Sequence, residues 1–135
     1  MVLSCLVSPL KNKQTMYHDL TPCPAHDGRA GCAALYIDPS DRSGFDYSGL
    51  LKHCRKSLPK YAVPLFVRVI HEQNLGHNNK QSKVPYRKEG VHHETISSGQ
   101  VGPKDVILWT PPNSQTYVPF TPEAWEEIVA GKARL

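Results

Sequence analysis

Apolar residues in this chain come in short bursts separated by turn-forming residues, and two stretches carry a helical period. Cys32–Ile37 follows the Asp27-Gly28 turn signal, closes at Asp38-Pro39 and has the length of a buried strand. Tyr47, Leu50, Leu51, Cys54 and Leu58 then recur at i, i+3, i+4, i+7 and i+11, which predicts a helix with one apolar face. Asp46 stands where a carboxylate can accept the partnerless N–H groups of the first turn. Lys52, Arg55 and Lys56 lie mostly off the apolar face, and Pro59 marks the end.

Leu65–Ile70, rich in β-branched and aromatic residues, predicts a second strand. The polar segment Glu72–Lys83 follows, with Gly76, Asn78 and Asn79 as loop formers. Val106–Trp109 and Tyr117–Phe120 predict two short strands joined across the Pro111-Pro112-Asn113 turn. Pro119 cannot donate to a ladder, so its strand belongs at an edge. The last helix is predicted to begin with Thr121 as cap and Pro122 at its first position, where a missing N–H costs nothing. Trp125, Ile128 and Val129 make its apolar stripe, acidic residues occupy its early turns, and Gly131 can end it. Met1–Ala25 lacks sustained periodicity and reads as an irregular segment preceding one domain over residues 26–135. The pattern predicts an α+β fold, a small sheet with packed helices.

At 135 residues the chain can build one modest core. A formal charge of +4 is spread over scattered lysines and arginines without a basic run, which argues against nucleic-acid binding. Cys5, Cys23, Cys32 and Cys54 form no C-x-x-C pair, no H-E-x-x-H occurs, and the histidines read as ordinary surface or structural residues, so no metal site is expected. A reducing compartment fits this cysteine usage. The apolar stretch Val2–Leu10 is too short to span a bilayer and lacks the basic lead of a secretory signal. Neither a phosphate-binding G-x-x-x-x-G-K-[ST] nor a G-x-G-x-x-G is present.

Three tracts carry the chemical information: DGRAGCAALYIDP at Asp27–Pro39, LGHNNKQSKVPYR at Leu75–Arg87 and YVPFTPEAW at Tyr117–Trp125. Together they resemble the C-terminal lid domain of the fatty acid transport protein and very long-chain acyl-CoA synthetase family, a branch of the AMP-forming adenylating enzymes. The resemblance runs from about His26 to the end, and nothing in the chain resembles the family's large ATP-binding domain. By this resemblance Gly76 matches the loop glycine, Lys80 the catalytic, nucleotide-contacting lysine and Lys83 a second basic position. Leu75 stands where the family has threonine, and Asn79 replaces its aromatic residue.

The resemblance implies a long-chain or very long-chain fatty acid–CoA ligase that converts fatty acid, ATP and coenzyme A, with Mg²⁺, to acyl-CoA, AMP and pyrophosphate. It further implies that this piece is inactive alone and works with the large adenylating domain or a full-length synthetase. Fatty acid and coenzyme A would reach it through that domain. Chemically, a lysine suits the role. Attack of a carboxylate on the α-phosphate joins two anions, and an ammonium placed there stabilises the transition state more than the ground state. Asp27–Gly31 reads either as a tight turn into a core strand or as a contact near the coenzyme A channel, with Arg29 open between the two. Leu58–Pro64 reads as a rigid connection between helix and strand. A non-catalytic interaction module or a truncated gene product is the alternative reading. Ala133-Arg134-Leu135 has the small–basic–aliphatic form of a peroxisomal address, and it equally fits the family's ordinary G-x-x-R-L ending. Otherwise a cytoplasmic place, or one at the endoplasmic reticulum membrane through other regions, is expected.

Overall fold

The computed structural model describes residues 15–22, 29–71, 91 and 104–132. They form a five-stranded mixed sheet in the order β1-β2-β3-β4-β5. Strand β1 is Thr15–Pro22, β2 Arg29–Tyr36, β3 Phe66–Ile70, β4 Val106–Trp109 and β5 Val118–Pro119. Helix α1 is Tyr47–Ser57 and α2 is Pro122–Val129. Strands β2 and β3 are parallel, with Cys32 opposite Phe66 and Tyr36 opposite Ile70; the other three pairings are antiparallel. A parallel pair needs a crossover, and α1 supplies it.

Alternation along the strands sorts the core onto the two faces of the sheet. Ala33, Leu35, Val67 and Leu108 meet Leu50, Leu51 and Cys54 of α1 on one face. Phe66, Ile107, Trp109 and Phe120 meet Ile128 of α2 on the other. Phe120 is the hub of that second layer, edge-on to Phe66, Trp109 and Trp125 at centroid distances of 5.2, 5.6 and 6.2 Å. Tyr117, at the end of the loop before β5, donates its hydroxyl to the Pro64 carbonyl at 2.7 Å. Burial pushes its pKa well above the usual phenol range.

Both helix starts follow from their caps. Asp46 accepts the Gly49 N–H at 2.9 Å, and Thr121 accepts the Ala124 N–H at 3.3 Å. Leu50, Leu51 and Cys54 are fully buried, as their spacing predicts. Gly131 takes φ of +70° just after α2, a left-handed position that glycine occupies without steric cost. The α+β class holds.

Four details differ from the sequence pattern. The first described strand is β1, within a segment that reads as irregular; its order comes from an eight-residue backbone ladder with β2, which hydrophobic periodicity does not encode. Strand β2 starts at Arg29 rather than Cys32, because that ladder extends past the apolar burst. Strand β5 is two residues long instead of four, and it is the sheet edge that Pro119 requires. Val129 is 45% exposed, and Ala124 takes its expected place in the α2 contact. Among the described residues no helix is long and apolar enough to cross a membrane.

Leu50→Ala is expected to lower unfolding free energy by about 2–5 kcal/mol, as a fully buried leucine lost from a packed layer does. Val129→Ala should stay within about 0.5 kcal/mol of the parent. Urea unfolding monitored by circular dichroism distinguishes the two.

Candidate functional site

Arg68 sits in the middle of the apolar strand β3 and is 1% exposed. A guanidinium there must be compensated, since a buried charge without a partner costs several kcal/mol. Asp105, immediately before β4, provides the compensation: its Oδ2 accepts Arg68 Nε at 2.8 Å. Its other oxygen, Oδ1, accepts the backbone N–H of His71 at 2.8 Å. One carboxylate thereby neutralises the arginine and fixes the residue at which the chain leaves β3.

A second arginine secures the same place from the other side. Arg42, in the turn after β2, donates Nε to the Ile37 carbonyl at 2.9 Å and Nη2 to the His71 carbonyl at 2.7 Å. Its Nη1 lies 2.9 Å from His71 Nδ1. A guanidinium only donates, so Nδ1 is the acceptor and the neutral ring carries its proton on Nε2. The Tyr36 ring lies under the Arg42 guanidinium at 5.8 Å, a cation–π contact. The carboxyl ends of the parallel strands β2 and β3 are thus tied together through side chains. Nearby, Ser40 donates from its hydroxyl and its N–H to Asp38 Oδ1, which holds that carboxylate's pKa below the ordinary range.

The polar segment that carries Lys80 and Lys83 begins at Glu72, directly after this anchored residue. Lys80 and Lys83 themselves lie outside the described residues, as do Asp27 and Gly28 of the DGRAG tract and Ala133–Leu135. Arg29, Ala30 and Gly31 of that tract form the start of β2, opposite Pro22, Thr21 and Leu20. Lys60–Ala62 is a short 3-10 turn within the predicted connection Leu58–Pro64. Among the described residues there is no group of three or more His, Cys, Asp or Glu side chains that could hold a metal ion.

Arg42, His71 and Asp105 are absent from the motif reading. The available signal was Arg68 itself: an arginine inside LFVRVI demands a buried acid, and Asp105 heads the next apolar strand. The remote pairing of Arg42 with His71 left no sequence trace. His53 Nε2 is buried without a hydrogen-bond partner among the described residues, and nothing in the structure explains it.

With this geometry in place, comparison with known proteins defines the class. A very long-chain fatty acid transport protein of Cochliobolus heterostrophus is 35% identical over 112 residues, 83% of this chain and 17% of its own. The human long-chain fatty acid transport protein 3 is 31% identical over 83% of this chain and 15% of its own. Isopenicillin N epimerase component 1 of Hapsidospora chrysogena is 41% identical over 116 residues, 82% of this chain and 19% of its own. The chain belongs to the fatty acid transport protein and acyl-CoA synthetase family. It spans less than one fifth of the length of these relatives. No protein-family model matches the chain, and no solved structure matches it.

Asp105→Ala is expected to destabilise the fold by about 3–5 kcal/mol by taking the carboxylate away from the buried Arg68 guanidinium. The double variant Arg68→Met/Asp105→Leu should recover most of that loss, short of about 1 kcal/mol for the His71 N–H left without its acceptor. A double-mutant cycle in urea reads the difference.

Proposed function

We propose that this chain supplies the lysine-bearing lid of a fatty acid–CoA ligase and that Lys80 is its catalytic residue. The family relationship carries this reading: the tract LGHNNKQSKV comes after β3 in the sequence of a chain related to fatty acid transport proteins over four fifths of its length. Lys80 brings a compact charge on a flexible stem to the α-phosphate of ATP, where negative charge accumulates as the fatty acid carboxylate attacks. Lys83 adds a weaker contribution to nucleotide contact. The anchored His71 gives the segment a fixed root, which suits a lysine that must be presented to a separate domain. ATP and the fatty acid bind on the large domain, so the chain alone has little ligase activity. Coenzyme A enters after the adenylate forms, once the lid has rotated.

The isopenicillin N epimerase relative supports a second reading, in which the carboxylate activated belongs to isopenicillin N. Placing isopenicillin N against hexadecanoate in one assay separates the two. A non-catalytic docking role on a full-length synthetase is the reading that remains if neither substrate is turned over.

The test is rescue in trans. The large domain of the Cochliobolus relative, expressed without the stretch that matches this chain, should regain acyl-CoA synthesis from hexadecanoate when this protein is added. Lys80→Ala is expected to lower the rescued rate by on the order of 10²–10³, and Lys83→Ala by less. Rescue that is indifferent to Lys80 contradicts the assignment.

For location we propose that Ala133-Arg134-Leu135 serves as a peroxisomal address. A fluorescent protein fused to the N-terminus, with the C-terminus free, should be punctate and coincide with a peroxisomal marker. Deleting Leu135 should make it diffuse. Identical patterns for both fusions mean that the three residues are only the family's usual ending.

A further inference from the structure

Lysines and arginines that look scattered along the sequence converge in the folded chain. Between Tyr47 and His71 the sequence holds no aspartate or glutamate, and its cations include Lys52, Arg55, Lys56 and Lys60, all exposed. Lys52 and Lys56, one helical turn apart, stand on the side of α1 opposite Leu50, Leu51 and Cys54. Arg55 reaches the loop before β5, where its Nη2 donates to the Ser114 carbonyl at 2.9 Å and its Nη1 to the Gln115 side chain at 3.3 Å. Both acceptors are neutral, so neither cancels its charge. Arg55 and Lys60 line one groove together with Pro111 and Pro112, which carries the basic surface from the helix onto the 3-10 turn that follows.

The helix on the other side of the sheet has the opposite sign. Within Pro122–Val129, α2 carries the exposed Glu123, Glu126 and Glu127 and no lysine or arginine. Since α1 packs on one face of the sheet and α2 on the other, the two helices polarise the domain across its sheet. The macrodipole of α1 accounts for Arg55 and Lys56, which sit in its last turn beside carbonyls that have no helical partner. It does not account for Lys52 in the middle of the helix or for Lys60 beyond its end. Next to Lys60, Tyr61 is 90% exposed, far more than the other large apolar side chains that reach solvent among the described residues, Val106 and Val129.

These features select the partner. Cations on long flexible stems meet an anionic surface without a matched shape, and a tyrosine ring beside them fits the boundary between headgroups and acyl chains. The field of an extended anionic surface also orients a polarised domain, drawing in the α1 side and repelling the α2 side. An acidic protein surface matches the charge alone, and the exposed ring favours the bilayer. We infer that the face of α1 bearing Lys52, Arg55 and Lys56, continued by Lys60 and Tyr61, docks this chain on the surface of an anionic lipid bilayer. The contact is peripheral, made by side chains that lie on the membrane without entering its core. It goes beyond the ligase reading and does not depend on Lys80.

The test mixes the purified 135-residue chain with sucrose-loaded phosphatidylcholine vesicles, with and without phosphatidylserine, and sediments them. Binding is expected to require phosphatidylserine and to weaken steeply as salt is raised. Lys52→Gln/Lys56→Gln should weaken it about tenfold to thirtyfold, roughly fivefold for each cation removed from the contact. Lys104→Gln/Lys132→Gln removes the same charge from exposed positions outside this face and should change binding by less than about threefold. Tyr61→Ser should weaken binding about threefold to tenfold. Every variant replaces an exposed side chain, so melting temperatures should match that of the parent. Absence of phosphatidylserine-dependent binding, equal losses in the two lysine pairs, or unchanged affinity in Tyr61→Ser would overturn the inference. Retention on immobilised polyglutamate without binding to the vesicles would overturn it too, and would assign the face to an acidic protein. No ATP, coenzyme A or second domain is present, so failure here leaves the rescue experiment untouched, and a failed rescue leaves this measurement untouched.

Discussion

A guanidinium buried in a small apolar sheet constrains everything around it. Arg68 is placed between Val67 and Val69 in the strand that pairs with both β2 and β4. Asp105 meets it at 2.8 Å with the same low exposure. Replacing such a pair with apolar residues often costs nothing, so its presence is weak support for stability as such. Its consequence is positional. The acid that neutralises Arg68 also accepts from His71, which ties the start of β4 to the end of β3 in one register.

From that constraint the sheet acquires two unlike ends. The carboxyl ends of β2 and β3 are bound by charged and polar side chains, with Arg42 reaching Ile37 and His71, and the chain leaves there toward Lys80. The amino end of β3 is closed by the 3-10 turn at Lys60–Ala62 and by the Pro111–Ser114 turn, in which Asn113 adopts φ of +65°. Those two turns leave an apolar groove between them. A fixed root suits the role proposed for Lys80, which would have to reach a separate domain.

Much of this was legible in the chain. Periodicity located α1, the caps Asp46 and Thr121 located both helix starts, and β-branched runs located β3 and β4 almost to the residue. The reason is that each of these elements is specified by its own sequence. What could not be read depends on residues far apart in the chain. Strand β1 owes its order to pairing with β2, and Arg42 to His71 is a contact across 29 positions. The groove is formed by residues from the end of α1, the connection to β3 and the loop after β4, none of which carries a motif. Lys80 stands out only by resemblance to the family's lysine tract, since a lysine in a polar segment has no signature of its own.

The central claim is that Lys80 acts in adenylate formation and not merely in holding the lid together. The most direct measurement separates the two half-reactions in the rescued system: pyrophosphate exchange into ATP for adenylation, and release of acyl-CoA from synthetic acyl-adenylate for thioester formation. Lys80→Ala is expected to depress the exchange by on the order of 10²–10³ and to leave thioester formation nearly unchanged. Equal losses in both half-reactions would contradict the account, because they would mean that the lysine supports docking of the lid instead of the chemistry of the first step.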